Sequence, residues 1–264
     1  MTTILLTNDD GVTSQGLWAL YDILEPIGQL LVIVPDSPRS ATGMSLTFHK
    51  PLRIAKMKFR KRHTYVVSGN PADCVFLGVS QVLAGKLPDV VVSGINQGDN
   101  VTAQTVFASG TVAAAMQGAV IGVKSLAFSL AFPEDKRLPG RLTAHKFEEG
   151  AKFARKIVTR ILDESLPQGV DYLNINFPFE IDPTTPVKMT RLGKRKYNDN
   201  VIERIDPRGR RYYWQWGAIR PDEEFEEGTD AHAVLVEKVI SITPMQLDSS
   251  MNANGSAFSD LIDG

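Results

Sequence analysis

Short apolar runs alternate with amphipathic segments along the first two thirds of the chain. Apolar runs that end in polar or glycine residues predict buried strands, at residues 4–7, 30–34, 89–96, 125–132 and 172–177. Apolar residues spaced three or four apart predict helices, at residues 14–27, 70–83, 109–120 and 143–162. Because strands and helices alternate, we predict an α/β fold with a mostly parallel, doubly wound sheet.

The sequence pattern changes after residue 185. Between Arg191 and Trp216, eight basic residues are interleaved with five aromatic residues, and Pro207 and Gly209 indicate an extended hairpin. Apolar residues at 233–243 predict a returning strand, and the small polar residues after it predict a poorly ordered tail. We therefore divide the chain into an α/β core, residues 1–185, and a C-terminal extension, residues 186–264.

Composition and charge are those of an ordinary globular protein of 264 residues, 43% hydrophobic and 22% charged. The net charge of −1 creates no global field, so we expect no stable nucleic-acid complex and no membrane partner. The single cysteine, Cys74, cannot form an internal disulfide. Polar residues interrupt the first apolar run early, so we expect no leader and a cytoplasmic location.

The first strand is followed directly by an amide, two carboxylates and a glycine, Asn8 to Gly11. In open α/β sheets, chemistry takes place beyond the carboxyl ends of such strands. Adjacent carboxylates repel each other unless a cation or a proton lies between them, and Mg²⁺ is often held by one or two carboxylates. Asp9 and Asp10 therefore predict a metal site. The alternative is a plain turn in which one of them caps the next helix.

Two further loops follow strand-like segments and are expected at the same edge of the sheet. They carry Ser40, within residues 39–43, and Asn96, within residues 93–96. Two carboxylates, a hydroxyl and an amide carbonyl make an all-oxygen set that suits Mg²⁺ or Mn²⁺, with Ca²⁺ also compatible, rather than zinc. Alternatively, Ser40 is an ordinary turn residue and Asn96 a strand-end cap.

Ser109, Gly110 and Thr111 begin a predicted helix and suggest a phosphate site. The N-terminus of a helix presents free N–H groups and the positive end of the helix dipole. The alternative is an ordinary serine cap. A cation that faces an anion pocket is the arrangement that hydrolysis of a phosphate ester requires, because the metal polarises the phosphoryl oxygen and activates a water molecule.

Other catalytic chemistries have little support in the sequence. The chain has no Gly-x-Ser-x-Gly elbow and no Gly-x-Gly-x-x-Gly after the first strand. Cys74 lies on a predicted helix, which favours a core position over a nucleophile. No metal-ligand spacing is found among the four histidines, His49, His63, His145 and His232.

Several motifs, taken together, resemble the SurE (survival protein E) family of metal-dependent 5′-nucleotidases. They run in order along most of the chain, which makes the resemblance specific. The motifs are Leu5 to Gly11, Val34 to Ser40, Asn70 to Val75, Val92 to Asn100, Ser109 to Val112, and Gly228-Thr229-Asp230 leading to Ser241 to Pro244.

The resemblance implies a Rossmann-like core and one divalent ion, Mg²⁺ or Mn²⁺, held by Asp9, Asp10, Ser40 and Asn96. It implies phosphate contacts near Asn8 and at residues 109–111, and a homodimer or homotetramer formed through the C-terminal arm. The implied substrates are nucleoside 5′-monophosphates, with 3′-nucleotides and short polyphosphate as further possibilities. We expect a metal-activated water to attack phosphorus, with Asp9 or Asp10 orienting or deprotonating that water.

The chain departs from the family pattern at three positions, none of which is an expected metal ligand. It has Asn70 where threonine is usual, Ala108 where an aromatic residue is usual, and Asp99 where alanine is usual. The last two changes bear on preference for the nucleobase.

Three rival functions share features with this sequence. A receiver-like signalling module, or a nucleotide-binding module without hydrolysis, would also use paired acids, but a receiver needs an aspartate where Asn96 stands. A haloacid-dehalogenase-type phosphatase needs Asp-x-Asp in place of residues 8–10. A nucleic-acid-binding protein would use the basic and aromatic residues of the arm.

Overall fold

The computed structural model describes residues 2–132, 142–215 and 217–250. Trp216 and most of the predicted polar tail lie outside this part of the chain. The strands are β1 Thr3–Thr7, β2 Gln29–Pro35, β3 Ile54–Phe59, β4 Arg62–Val67, β5 Val90–Gln97, β6 Ser125–Leu130, β7 Tyr172–Phe177, β8 Val187–Met189, β9 Val201–Ile205, β10 Arg211–Gln215 and β11 Ile240–Met245. The α-helices are α1 Gln15–Leu24, α2 Pro71–Leu77, α3 Thr102–Val106, α4 Gly110–Val120 and α5 Glu148–Glu164.

Nine of the described strands form one sheet in the order β3-β4-β2-β1-β5-β6-β7-β11-β8. The central strands are parallel, whereas β3 pairs with β4 and β11 pairs with β7 in the antiparallel sense. The observed strand order and directions therefore confirm the predicted α/β fold with a mostly parallel sheet. Since β1 lies between β2 and β5, the strand order reverses at β1, and ligands bind α/β sheets at such a switch point.

Both faces of the sheet are covered, because successive side chains of a strand point to opposite faces. Leu6 of β1 packs with Trp18 of α1 and Ala154 of α5 on one face. On the other face, Leu5 packs with Cys74 of α2 and Ala114 of α4. This arrangement explains the continuous apolar run of β1, and it fixes the strand whose carboxyl end carries the two aspartates.

The C-terminal part differs from the sequence prediction. Residues His232–Val236 form a π-helical turn, and the returning strand β11 begins only at Ile240 and continues through Pro244 to Met245. The predicted strand over residues 233–243 is therefore wrong in its first half, because a short apolar run does not distinguish a strand from a buried helical turn. Ala233 and Val234 are buried in that turn.

Two further features matter for the site. The connection between β5 and α4, residues 98–109, contains the short helix α3, which the sequence pattern did not predict. Strands β9 and β10 form a separate antiparallel hairpin, as predicted for the arm. Within the described ranges, no helix has both the length and the hydropathy that crossing a bilayer requires.

Candidate active site

A cavity of about 520 Å³ opens beside the carboxyl ends of β1 and β5. Its wall includes all four side chains predicted to bind metal, Asp9, Asp10, Ser40 and Asn96, together with Ser109 at the start of α4. The structure thus brings together side chains that the sequence separates by as many as a hundred positions. The cavity lies at the switch point of the sheet, which is where open α/β sheets bind their ligands.

Asp9 is the most constrained of these residues. Its Oδ1 accepts a hydrogen bond of 2.6 Å from the hydroxyl of Thr111, and its backbone carbonyl accepts one of 2.8 Å from the N–H of Arg39. Burial raises the pKa of Asp9, although the hydrogen bonds from Thr111 act in the opposite direction. A buried carboxylate of this kind gains from a nearby cation, because the cation stabilises its ionised form.

Asp10 is partly exposed and contributes to two cavities. The second is a smaller space of about 150 Å³ beside Ser14 and Gln15. Ser14 caps helix α1, because its hydroxyl accepts a hydrogen bond from the N–H of Leu17. The alternative in which Asp9 or Asp10 caps this helix therefore does not describe the structure.

Asn8 is oriented toward its own turn. Its Oδ1 accepts a hydrogen bond from the N–H of Gly11, and its Nδ2 donates a hydrogen bond to the carbonyl of Gly11, each at 3.1 Å. The side chain is fully buried and is not part of the cavity wall. Its contribution is to shape the loop that presents the two aspartates, and its predicted contact with phosphate stays a prediction.

The loop that carries Ser40 is anchored at both ends. Arg39 bonds to the backbone of Asp9 as described, and Gly43 donates a hydrogen bond of 2.8 Å to the carbonyl of Ala108. Gly43 has a φ of +54°, and a Cβ there would lie 2.6 Å from the carbonyl oxygen of Phe107. A larger residue at position 43 would therefore push this loop, and Ser40 with it, away from the start of α4.

Asn96 reaches the cavity because β5 carries an extra residue. The pairing of β5 with β6 shifts register between Ser93 and Asn96, and such bulges re-aim side chains next to functional sites. Gly94 occupies the bulge, and a Cβ there would lie 2.2 Å from the carbonyl oxygen of Phe128. The Nδ2 of Asn96 donates to the carbonyl of Gly98 at 2.8 Å. This bond leaves the side-chain carbonyl oxygen as the atom suited to a cation.

The start of α4 packs directly against Asp9. Ser109 caps this helix by accepting a hydrogen bond of 3.1 Å from the N–H of Val112. A Cβ on Gly110 would lie 2.7 Å from the Cβ of Asp9, so only glycine permits this approach. The serine-cap alternative is therefore correct for Ser109, and the cap lies on the cavity wall. Capping and anion binding are compatible. A helix begins with about four N–H groups that have no partner within the helix, and one capping oxygen occupies only one of them.

These donors fit a hard divalent cation. The described residues contain no group of three or more His, Cys, Asp or Glu side chains placed to hold a metal. Any ion at this cavity would therefore rely on two carboxylates plus neutral oxygen donors. Mg²⁺ accepts such a mixed oxygen shell and retains several waters, whereas zinc prefers nitrogen and sulfur ligands.

Sequence reasoning missed the residues that α3 and the arm contribute to the cavity wall. That wall includes Gln104 of α3, Asp199 and Asn200 before β9, and Gln215 of β10. The only usable signal was position, since residues 97–108 follow β5 and must cross the same edge of the sheet. The arm was predicted as a subunit contact, and nothing in its pattern indicated a cavity wall.

Comparisons with known proteins all point to the same protein family. The family model described as survival protein SurE matches residues 4–199. Two proteins named 5′-nucleotidase SurE, from Methanocella arvoryzae and Archaeoglobus fulgidus, are 43% and 42% identical over 246 residues. These alignments cover 93% of this chain and 92% and 91% of the respective relatives.

A crystal structure of a SurE protein from Aquifex aeolicus superposes with a TM-score of 0.81 and 39% sequence identity. The match covers 99% of this chain and all of that one. Sequence and fold therefore agree with the resemblance seen in the motifs. The chain belongs to the SurE survival protein family.

Proposed function

We propose that this protein is a metal-dependent 5′-nucleotidase that hydrolyses nucleoside 5′-monophosphates to nucleoside and phosphate. Relatives named 5′-nucleotidase SurE align with nearly the whole chain, which supports the reaction class. The observation that carries the proposal is the single cavity on which Asp9, Asp10, Ser40 and Asn96 meet the N-terminus of α4. It combines oxygen donors for a cation with N–H donors for an anion.

Each residue has a distinct part in this proposal. The carboxylates of Asp9 and Asp10, the hydroxyl of Ser40 and the amide oxygen of Asn96 would hold one Mg²⁺ or Mn²⁺ ion. When bound, such an ion polarises a phosphoryl oxygen and lowers the pKa of a coordinated water. Thr111 fixes the orientation of the Asp9 carboxylate through its 2.6 Å hydrogen bond.

Residues of the protein itself would orient the attacking water and stabilise the charge that develops during the reaction. One carboxylate of the Asp9–Asp10 pair orients the attacking water and accepts its proton. The N–H groups at the start of α4 stabilise charge that develops on the phosphoryl oxygens, since they are already aimed and need no reorganisation. The bond between phosphorus and the nucleoside oxygen breaks on the side opposite the water, and the departing oxygen takes a proton from solvent water to give the free nucleoside.

The direct test measures phosphate release from AMP, GMP, CMP and UMP, with 3′-AMP and tripolyphosphate as further substrates. We expect release with Mg²⁺ or Mn²⁺ and its loss on chelation, because the carboxylates alone cannot polarise phosphorus. Activity that persists after exhaustive chelation would contradict the metal dependence. Hydrolysis of none of the nucleotides with any divalent ion would contradict the nucleotidase itself.

We also propose that the β9–β10 hairpin is a subunit contact in a homodimer or homotetramer. A lone two-stranded hairpin is marginally stable in water. This one exposes large apolar side chains, with Ile205 66% and Trp214 62% accessible. Exposed apolar groups of this size usually mark an interface.

We expect the Ile205→Lys/Tyr213→Lys variant to sediment as a monomer at micromolar concentration, while the wild type does not. These two residues share one face of the hairpin, because Ile205 pairs with Arg211 and Tyr213 with Glu203. Met57→Lys is the matched control, since it adds a lysine on the exposed edge strand β3. A monomeric wild-type protein under the same conditions would refute the proposed contact.

A further inference from the structure

The cavity, about 520 Å³ in volume, is larger than a metal ion and a phosphate require, and its wall combines two groups of residues that differ in chemistry. One group consists of the oxygen donors and the start of α4. The other group belongs to the arm and consists of Tyr197, Asp199, Asn200 and Gln215, and we call this part of the cavity the arm end. No lysine or arginine of the described residues lies on the wall, so the arm end offers hydrogen-bonding and aromatic groups rather than positive charge.

We infer that the arm end is the nucleoside subsite, in which Tyr197 contacts the base and the amides of Asn200 and Gln215 read its edges. The inference rests on the proposed nucleotidase function, because it takes the phosphate to lie at the Asp9–Asp10 end. A nucleoside 5′-monophosphate must then extend along the cavity toward the arm. Side-chain amides recognise base edges, since each offers both a donor and an acceptor.

Helix α3 holds this part of the arm in a fixed position. The Oε1 of Gln104 accepts hydrogen bonds from the N–H groups of Lys196 and Tyr197, at 3.0 and 2.8 Å. Its Nε2 donates to the carboxylate of Asp199 at 3.1 Å. One glutamine therefore sets the backbone on which the subsite is built, and a rigid subsite loses little entropy when it binds its ligand.

The ring of Tyr197 also has a charged neighbour that restricts its position. The buried ammonium of Lys196 lies 4.9 Å from the centroid of the ring, within the range of a cation–π contact. The ring itself is half-buried and forms part of the cavity wall. A fixed aromatic surface of this kind accepts any base, because every base presents a π-face.

Selectivity among bases must then come from groups that read the edges. Within the described part of the chain, the side-chain amides of Asn200 and Gln215 have no hydrogen-bond partner, although both line the cavity. By contrast, the carboxylate of Asp199 is already bonded to Gln104 and to Arg195, the latter at 2.5 Å. The two amides are therefore the groups that a base can engage without breaking an existing bond.

The test compares nucleotides with a phosphate ester that has no base. Steady-state kinetics are measured for AMP, GMP, CMP, UMP and glycerol 2-phosphate, in the wild type and in Asn200→Ala/Gln215→Ala. We expect KM for the nucleotides to rise roughly tenfold or more, with an altered ranking among bases, since hydrogen bonds to a base edge discriminate by about that factor each. Activity toward glycerol 2-phosphate stays unchanged, because that ester does not reach the arm.

Arg204→Ala is the matched control, since Arg204 is exposed on β9 of the same hairpin and is not on the wall. A uniform loss on all substrates, or no change on any, would overturn the subsite. Tyr197→Leu provides a second variant, expected to raise KM for every base alike. If the wild type hydrolyses no ester at all, the proposed function fails. The subsite is then judged by calorimetric binding of AMP, which the double variant must weaken.

Discussion

Replacing Asp9 with asparagine is expected to lower kcat/KM for nucleoside 5′-monophosphates by about 10³-fold or more. The substitution keeps the shape of the side chain and an oxygen that can accept from Thr111, but it removes the charge that would anchor the cation. Metal polarisation of a phosphoryl group is worth several kcal/mol. Since each 1.36 kcal/mol corresponds to a factor of ten, a loss of roughly three orders of magnitude follows.

A second measurement separates loss of metal from loss of fold. Ligands that bind only the folded state raise the unfolding temperature. Mn²⁺ is therefore expected to raise Tm in the wild type and to have no effect in Asp9→Asn. The apo variant should unfold at or above the wild-type temperature, because burying a neutral amide costs less than burying a carboxylate.

Asp163→Asn is the control for this experiment, since Asp163 is an exposed residue of α5 with the same change of charge. It should leave both activity and the Mn²⁺ effect intact. Retention of most of the wild-type kcat/KM in Asp9→Asn would show that the phosphoryl group is not activated by an ion at this carboxylate. The proposed role of Asp9 would then have to be abandoned.

The sequence predicts that Asp9, Asp10, Ser40 and Asn96 meet at one edge of the sheet, as they do in the structure, because the relevant rule is local. Asp9 follows a predicted strand directly, Ser40 lies in the loop after the next strand, and carboxyl ends of parallel strands meet at one edge of the sheet. Asn96 was predicted on the same ground. Its actual orientation depends on the bulge in β5, for which Gly94 was the single visible sign.

The arm end of the cavity could not be predicted, because its contacts join distant parts of the chain. Gln104 meets Tyr197 across 93 positions, and Asp99 meets Lys196 across 97. No periodicity in a strand or helix reports such pairs. From the sequence, Asp99 was a departure from the family pattern that bears on preference for the nucleobase, whereas the structure pairs it with an ammonium group.

The short helix α3 was missed for a related reason. Its five residues, Thr102–Val106, are too few to show a helical period. The helix is fixed by tertiary contacts, since the buried carboxylate of Asp230 accepts hydrogen bonds from the N–H groups of Thr102 and Gly193, at 2.8 and 2.9 Å. Burial raises the pKa of Asp230, and the three backbone donors around it act to lower that pKa.

Replacing Lys196 with methionine is expected to reduce the free energy of unfolding by about 3–5 kcal/mol, the usual cost of removing one partner of a buried ion pair. The Nζ of Lys196 lies 2.6 and 2.8 Å from the two carboxylate oxygens of Asp99. Both side chains are only 2% accessible. The substitution therefore leaves a carboxylate buried without a counter-charge.

The pH dependence of this contribution has a definite sign. Burial alone would lower the pKa of Lys196, but the charges and hydrogen bonds of Asp99 and Tyr197 together outweigh it, and the pKa is raised. A group whose pKa is higher in the folded state contributes fully below its unfolded-state value, about 10.4 for lysine. The contribution of Lys196 to the difference in stability between wild type and Lys196→Met should thus be present at neutral pH and be lost as the pH rises beyond that value.

A double-mutant cycle decides whether the lost stability belongs to the pair. Lys196→Met combined with Asp99→Leu should recover most of the loss, because replacing a whole buried ion pair by apolar residues is often neutral or stabilising. Arg160→Met is the control, since it breaks an exposed pair with Glu164 and should cost below about 1 kcal/mol in urea titrations. If Lys196→Met costs no more than Arg160→Met, the pair does not hold the arm against the active-site loop. The position of the proposed nucleoside subsite would then depend mainly on the hydrogen bonds that Gln104 makes with the arm.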